Sequence, residues 1–336
     1  MASNASNESL AKARDAKDDE FYTQLPDIER ELKHYRHHFK DKVIYCNCDD
    51  PRVSNFFHYF SHNYDKLGLK GLITTCYKND NIDMFSRNET DEAVSLQYYG
   101  SSSASGVPSA SDIGIQHLKG DGDFRSAECI ELLQKADIVV TNPPFSKFKE
   151  YVSLLVDNDK QFLIIGSLNA ITYKQIFRLI KDNHLWLGYG FANGNAYFSV
   201  PSGAQYASGV YDASTGLVKF RNVTWYTNLD IDKRHEKLVL FREYSPELHP
   251  TCDNYNAISV GRLRDIPYNY EGVMAVPITF LDKYNPDQFT ILGSDYDVKE
   301  GLLPDIINPE WHGKLDRAYV HGKRLFARLL IQRVKD

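Results

Sequence analysis

Asn142, Pro143, Pro144 and Phe145 follow directly on the apolar run Ile138-Val139-Val140-Thr141, and their types suit one kind of chemistry. A conjugated amino group is a poor nucleophile because its lone pair is delocalised into the ring that carries it. Making it react calls for acceptors that take its hydrogens and draw the nitrogen toward a tetrahedral shape. The Asn142 side-chain oxygen and the Pro143 carbonyl can each accept one such hydrogen, which aims the lone pair at an electrophilic carbon. The two prolines stiffen the backbone and bring no N–H of their own to compete. Phe145 offers a ring face on which a planar base can stack. Two prolines also end strands and open turns in many folds. The apolar strand in front of this tetrapeptide favours the chemical reading.

Such a tetrapeptide works only at the end of a rigid element. Lys42 to Cys46, Gly71 to Tyr77, Ala136 to Val140 and Gln161 to Gly166 read as continuous apolar strands, and a further strand is expected to end at Gly120-Asp121-Gly122-Asp123-Phe124. Helical stretches separate them: Leu25 to Phe39, Ser54 to Tyr64 with Ser54 or Asp50 as cap, Ser126 to Lys135, and Phe148 to Asp157. This alternation predicts an α/β fold with a parallel sheet covered on both faces. Ligands of such sheets sit outside the carboxyl ends of the strands. The polar exits Asn47 to Pro51, Gly120 to Phe124 and Asn142 to Phe145 are therefore expected at one edge. The serine-rich stretch Gly100 to Ser111 reads as a loop or hairpin tip. From about Tyr197 the pattern shifts to short strands, aromatic residues and a hairpin around Ala213 to Gly216, so a domain boundary is expected near Val200. The expected organisation is an arm over 1–18, a catalytic domain over 19–200 and a smaller, β-containing region over 201–336.

Composition excludes several classes. No apolar segment approaches the roughly 20 residues of a membrane span, and the polar opening stretch lacks the apolar core of a secretory signal. A cytoplasmic protein without membrane contact is expected. Five scattered cysteines do not read as a disulfide framework in a chain of 336 residues. Cys46 and Cys48 are too close for the usual zinc pair and read as packing residues of one strand face; His34, His37 and His38 read as a solvated helix face. No metal site is expected. The net charge of −6 argues against a surface that grips nucleic acid everywhere. The segment Lys314 to Lys335 departs from this average, with seven basic residues against Asp316 alone. It reads either as a phosphate-binding patch or as an amphipathic terminal element whose apolar face is Leu325, Phe326, Leu329, Leu330 and Ile331.

The Asn-Pro-Pro-Phe element is similar to the catalytic motif of the N6-adenine DNA methyltransferases, and the wider chain resembles the EcoRI-type family of these enzymes. The resemblance is carried by Asp19 to Gln24, Tyr45 to Phe57, Gly120 to Ser126, Asp137 to Ser146, Asp265-Ile266-Pro267 and Gly272 to Leu281. It implies a Rossmann-like methyltransferase sheet with a target-recognition domain, and methyl transfer from S-adenosylmethionine to an adenine flipped out of double-stranded DNA, within GAATTC. Restriction–modification function, a separate cognate endonuclease and a monomer are further implications. Asn142, Pro143, Pro144 and Phe145 would be catalytic. Phe21, Tyr22 and Thr23 would hold the methionine end of the cofactor, with Asp49 and Asp50 beside it, and Asp121 or Asp123 would bond its adenine.

The chain departs from many methyltransferases in having Asn47-Cys48-Asp49-Asp50-Pro51 in place of a glycine-rich turn, and no acidic residue directly after the second strand. Base reading would fall to the later region, where Arg221, Asn222, Lys233, Arg234, Arg262 and Arg264 are the candidates, with Asn193 and Asn195 in a glycine-rich loop. Two other readings compete: a protein glutamine N5-methyltransferase, which typically carries tyrosine in place of Phe145, and a noncatalytic DNA-binding protein on the same fold. No clustered carboxylates and lysine suggest a nuclease.

Overall fold

Four apolar strands form the parallel centre of the molecule: β2 (Val43–Cys46), β3 (Gly71–Cys76), β6 (Ile138–Thr141) and β7 (Gln161–Ser167). Their spatial order is β3-β2-β6-β7, each neighbour parallel. The computed structural model describes residues 22–48, 50–78, 92–100, 109–199, 211–212 and 214–334. The expected arm, Phe21, Asp49 and most of the serine-rich stretch lie outside them.

The sheet is mixed rather than parallel throughout, which corrects the sequence expectation. On one side β4 (Val94–Tyr98) runs antiparallel to β3 and carries β5 (Gln116–His117) at the edge. The strand expected to end at Gly120 is thus two exposed residues followed by a loop. On the other side β12 (Val223–Thr227) runs antiparallel to β7 and pairs with β8 (Trp186–Leu187). The eight strands form one sheet. A separate four-stranded sheet joins β1 (Tyr22–Thr23), β9 (Ala196–Ser199), β10 (Tyr211–Asp212) and β11 (Leu217–Phe220) in the order β1-β9-β11-β10. The expected hairpin is present as β10 paired with β11.

Helices α1 (Leu25–Leu32), α2 (Asn55–His62), α3 (Ala127–Lys135) and α4 (Phe148–Asp157) accompany these strands. Ser54, not Asp50, caps α2 by accepting from Phe56 N and Phe57 N, and Ser126 caps α3 by accepting from Cys129 N. The expected helix to Phe39 stops at Leu32 and continues only as a tight turn at Arg36–His38. Ile138, Val139 and Val140 are fully buried, each worth about 2 kcal/mol in area removed from water. Asp137 fixes the register at the other end of β6 by accepting from Val43 N at 2.8 Å.

The chain divides into two compact units, Met1–Arg178 with Leu185–Leu229 and Leu179–His184 with Asp230–Asp336. The break near residue 230 falls later than the expected Val200, because β10, β11 and β12 return to the first unit. The second unit holds a sheet in the order β13 (Ile258–Ser259), β14 (Met274–Pro277), β18 (Arg328–Arg333) and β15 (Phe289–Ser294), with the helix α5 (Asp295–Lys299) and a two-stranded ribbon of β16 (Tyr319–Val320) and β17 (Lys323–Arg324). The basic terminal segment is therefore ribbon and strand, with Leu329, Leu330 and Ile331 fully buried. No described helix is long and apolar enough to cross a membrane.

Candidate active site

Asn142 to Phe145 leave the carboxyl tip of β6, a strand flanked on both sides by parallel partners. Pro143 is buried, while Asn142, Pro144 and Phe145 keep partial exposure; the Asn142 Oδ1 atom itself is shielded from solvent. The chain then makes one tight turn, Phe145–Lys147, and enters α4. Phe148, the first residue of α4, is buried and packs its ring against Tyr226 at 5.0 Å. Gly166 on β7 makes room for that ring, since a Cβ there would lie 2.3 Å from it. The tetrapeptide is thereby pinned at both ends, by a central strand and by the anchored start of a helix.

The exit of β2 is tied to the same tip. Thr141 Oγ1 donates to the Asn47 carbonyl, and Tyr151 Oη on α4 donates to Asn47 Oδ1. Asn47 is buried and serves both neighbours. Its role was missed from sequence, where it read only as part of a polar exit. Cys48 follows with φ 61°, so it leaves the strand and does not share a strand face with Cys46.

Phe145 brings the amino-terminal motif into the same neighbourhood. Its ring meets Phe198 edge-on at 6.5 Å, and Phe198 on β9 pairs directly with Thr23 on β1. Asn55, the first residue of α2, donates from Nδ2 to the Thr23 carbonyl at 2.7 Å. Tyr22 and Thr23 are thus held between β9 and the start of α2. Thr23 Oγ1 is buried and has no hydrogen-bond partner among the described residues, and Thr74 Oγ1 on β3 is in the same position. Such buried hydroxyls cost free energy unless a polar group meets them.

Two of the acidic candidates, Asp50 and Asp123, have close arginine partners. Arg52 grips Asp50 with Nε to Oδ1 at 2.9 Å and Nη2 to Oδ2 at 2.6 Å, and its backbone N–H donates to Oδ1 as well. Arg125 holds Asp123 in the same way, at 2.8 and 2.6 Å, and reaches Glu150 at 3.0 Å with its third nitrogen. The Arg125 hydrogen bonds hold the Asp123 carboxyl below the usual carboxylate range, against a burial effect that opposes them. Asp121 accepts from Asp123 N at 3.0 Å and is exposed. Gly122, at φ 78°, lets this turn lie against the exit of β3: a Cβ there would come 2.4 Å from the Cys76 carbonyl oxygen. The sequence carried a signal for both clamps, an Asp-x-Arg spacing shortly before the serine that caps the next helix.

The nucleic-acid candidates are divided between the two units. Arg221 and Asn222 form the turn between β11 and β12 in the first unit, and the Asn222 carbonyl accepts from Leu168 N at 2.8 Å. Asn193 and Asn195 also lie in the first unit, whereas Lys233, Arg234, Arg262 and Arg264 belong to the second. Lys233, its side chain 9% exposed, pairs with Asp282 at 2.7 Å. Arg234 donates to Asn183 Oδ1 at 2.8 Å, and burial lowers its guanidinium pKa. Arg264 lies 4.0 Å from Asp265, and Arg262 is exposed. His34 stacks on Tyr189 at 3.5 Å rather than lying on a solvated face. Among the described residues no group of histidine, cysteine and carboxylate side chains could hold a metal.

A strand-tip Asn-Pro-Pro-Phe braced by neighbouring strand exits is the arrangement the sequence led us to expect of a methyltransferase, and the family match defines that class. The chain belongs to the family described as adenine-specific methyltransferase EcoRI, whose model matches residues 9–334. It is 51% identical over 298 residues to the type II methyltransferase M.EcoRI of Escherichia coli, covering 87% of this chain and 90% of that one. It is 36% identical to the type II methyltransferases M.MgeORF184P of Mycoplasma genitalium and M.MpnI of Mycoplasma pneumoniae, in each case over 96% of this chain and 98% and 97% of theirs. No solved structure matches. The protein is therefore an adenine-specific methyltransferase of the restriction–modification type, and the glutamine and noncatalytic readings drop out.

Proposed function

We propose that the chain transfers a methyl group from S-adenosylmethionine to N6 of an adenine extruded from duplex DNA, on a Rossmann-like sheet, with Asn142 to Phe145 as the reacting edge. The observation that carries this reading is the position of that tetrapeptide at the carboxyl tip of a central parallel strand in a chain of the adenine-specific family.

Asn142 Oδ1 and the Pro143 carbonyl accept the two hydrogens of the adenine amino group and turn its lone pair outward. Phe145 stacks on the base and holds its plane, with Phe198 supporting the ring from its edge. The buried, unsatisfied Thr23 Oγ1 and Thr74 Oγ1 favour a polar ligand beside the strand exits. Tyr22 and Thr23 hold its methionine end, and the Gly120 to Asp123 turn faces its adenine. When bound, S-adenosylmethionine supplies a sulfonium methyl as the electrophile. With both Asp50 oxygens engaged by Arg52, Asp50 shapes the turn around the ligand.

The target implied by the resemblance is GAATTC, read by side chains of the later region, and the enzyme acts as a cytoplasmic monomer beside a separate endonuclease. The test is incubation with labelled S-adenosylmethionine and plasmid DNA, followed by mapping of the modified adenines. Label at N6 of the inner adenine of GAATTC supports the full reading. Label at another sequence removes the target, and unlabelled DNA removes the activity. A 2-aminopurine at the mapped position should brighten on binding; a silent probe excludes extrusion.

A further inference from the structure

The second unit carries a small ribbon whose design fits a DNA groove. Strands β16 and β17 pair with each other alone among the described strands, joined by His321 and Gly322 at φ 50° and 74°. Two residues in that left-handed region make the tight turn whose twist suits a two-stranded ribbon. Asp253 holds the turn rigid: its carboxylate accepts from His321 N at 3.1 Å and from Gly322 N at 2.7 Å. Asn254 fixes the root, accepting from Tyr319 N at 2.9 Å and donating to the Arg317 carbonyl at 2.8 Å. Nothing in this scaffolding needs to be ordered when a partner arrives.

What the ribbon displays is one unpaired lysine, with Asp253 at the turn and Asp316 on Arg324, and beside it a strongly apolar side chain. His321, Lys323 and Arg324 are exposed. Arg324 is neutralised by Asp316 at 2.6 Å, while Lys323 makes no ion pair among the described residues. Phe326 follows the ribbon and is 88% exposed, although Leu329, Leu330 and Ile331 just beyond it are fully buried. One sequence reading put Leu325, Phe326, Leu329, Leu330 and Ile331 on one apolar face; the fold turns Phe326 outward. A large ring held in water beside the unpaired Lys323 suits a polyanion with apolar steps between its charges, and a nucleic-acid duplex has that chemistry.

We infer that the ribbon Tyr319 to Arg324 seats in a groove of the substrate duplex, with Lys323 on phosphate and Phe326 pressed between neighbouring base pairs. Two-stranded ribbons enter either groove of a duplex, and apolar wedges are inserted from the minor groove. An apolar wedge partly unstacks the step it enters and bends the duplex, which lowers the cost of extruding a base. This inference rests on the proposed action on duplex DNA.

The test uses the full chain and a duplex spanning a site the wild-type enzyme methylates, with dyes at its ends to read bending by energy transfer. Phe326→Ala should abolish most of the bend and weaken duplex binding about tenfold, leaving the melting temperature and S-adenosylmethionine affinity unchanged, and Phe326→Trp should restore both. Lys323→Ala should reduce the slope of log K against log salt by about one. A Phe326→Ala variant that bends and binds DNA like wild type, or that melts early as a core variant would, overturns the inference. A wild-type chain that methylates no DNA overturns the functional reading instead.

Discussion

The exits of β6 and β2 lie side by side and are fixed by opposite means. At β6 the covalent backbone does the work, because Pro143 and Pro144 restrict their own φ angles and leave an amide and a carbonyl to present. At β2 a side-chain clamp does it, because Asp50 is held by its own neighbour Arg52. The difference teaches where to look for reacting groups. A carboxylate whose two oxygens are engaged by an arginine is fixed by that partner, whereas a strand tip stiffened by prolines is fixed by its own backbone.

A buried carboxylate without such a clamp sharpens the contrast most. Asp295 in the second unit is 2% exposed and has Arg317 only at 4.0 Å. Burial therefore outweighs the bonds from Arg328 N and Tyr255, and its pKa rises to about 6. A carboxyl whose folded pKa is raised takes up more protons in the native state between the two pKa values. Its stability contribution is therefore greatest below the unfolded pKa and is lost as pH rises through the folded one. Melting curves should show a decline of about 3 kcal/mol from this group between pH 4 and roughly pH 6 to 7, and Asp295→Asn should flatten that limb. An unchanged limb would mean that Asp295 finds compensation elsewhere.

Breaking the clamp itself comes next. Asp50→Asn should cost about 2 kcal/mol in denaturant melts, because Arg52 loses a charged, two-pronged partner. Phe145→Ala acts on the other exit and should leave stability within about 1 kcal/mol, since its ring is only partly buried. Turnover should fall about tenfold through lost stacking, a pattern that equal losses in stability and rate would contradict. The smallest effect is expected at Asp123, whose clamp is more exposed than that of Asp50. Asp123→Asn should cost about 0.5 kcal/mol. Its depressed pKa makes that contribution present at neutral pH and lost as pH falls below the ordinary carboxylate range, so wild type and variant should converge in acid.

The sequence made the backbone-built features legible and hid the ones that depend on distant partners. Val43 to Cys46 and Ile138 to Thr141 are apolar on both faces and could only be central strands. Ser54 and Ser126 announced their helices, and Asn142 to Phe145 announced a chemistry. By contrast, β12 was assigned to the later region because Val223 to Thr227 lies beyond the change in pattern, yet its hydrogen bonds go back to β7. The antiparallel return of β4 was equally invisible, since direction is set by the connection and not by the strand's own residues. Asn47 looked like loop and is a buried junction of two strand exits and a helix. The clamps were visible as Asp-x-Arg but could not be told from solvated pairs until the fold showed which carboxylate was buried.

The central claim is that oxygens fixed at the tip of β6 make an aromatic amine reactive. Single-turnover methyl transfer to duplex DNA by Asn142→Ala, measured beside S-adenosylmethionine affinity and melting temperature, tests it most directly. The variant's rate should lie at least about a hundredfold below wild type, with affinity and melting nearly unchanged. Wild-type turnover by that variant would contradict it.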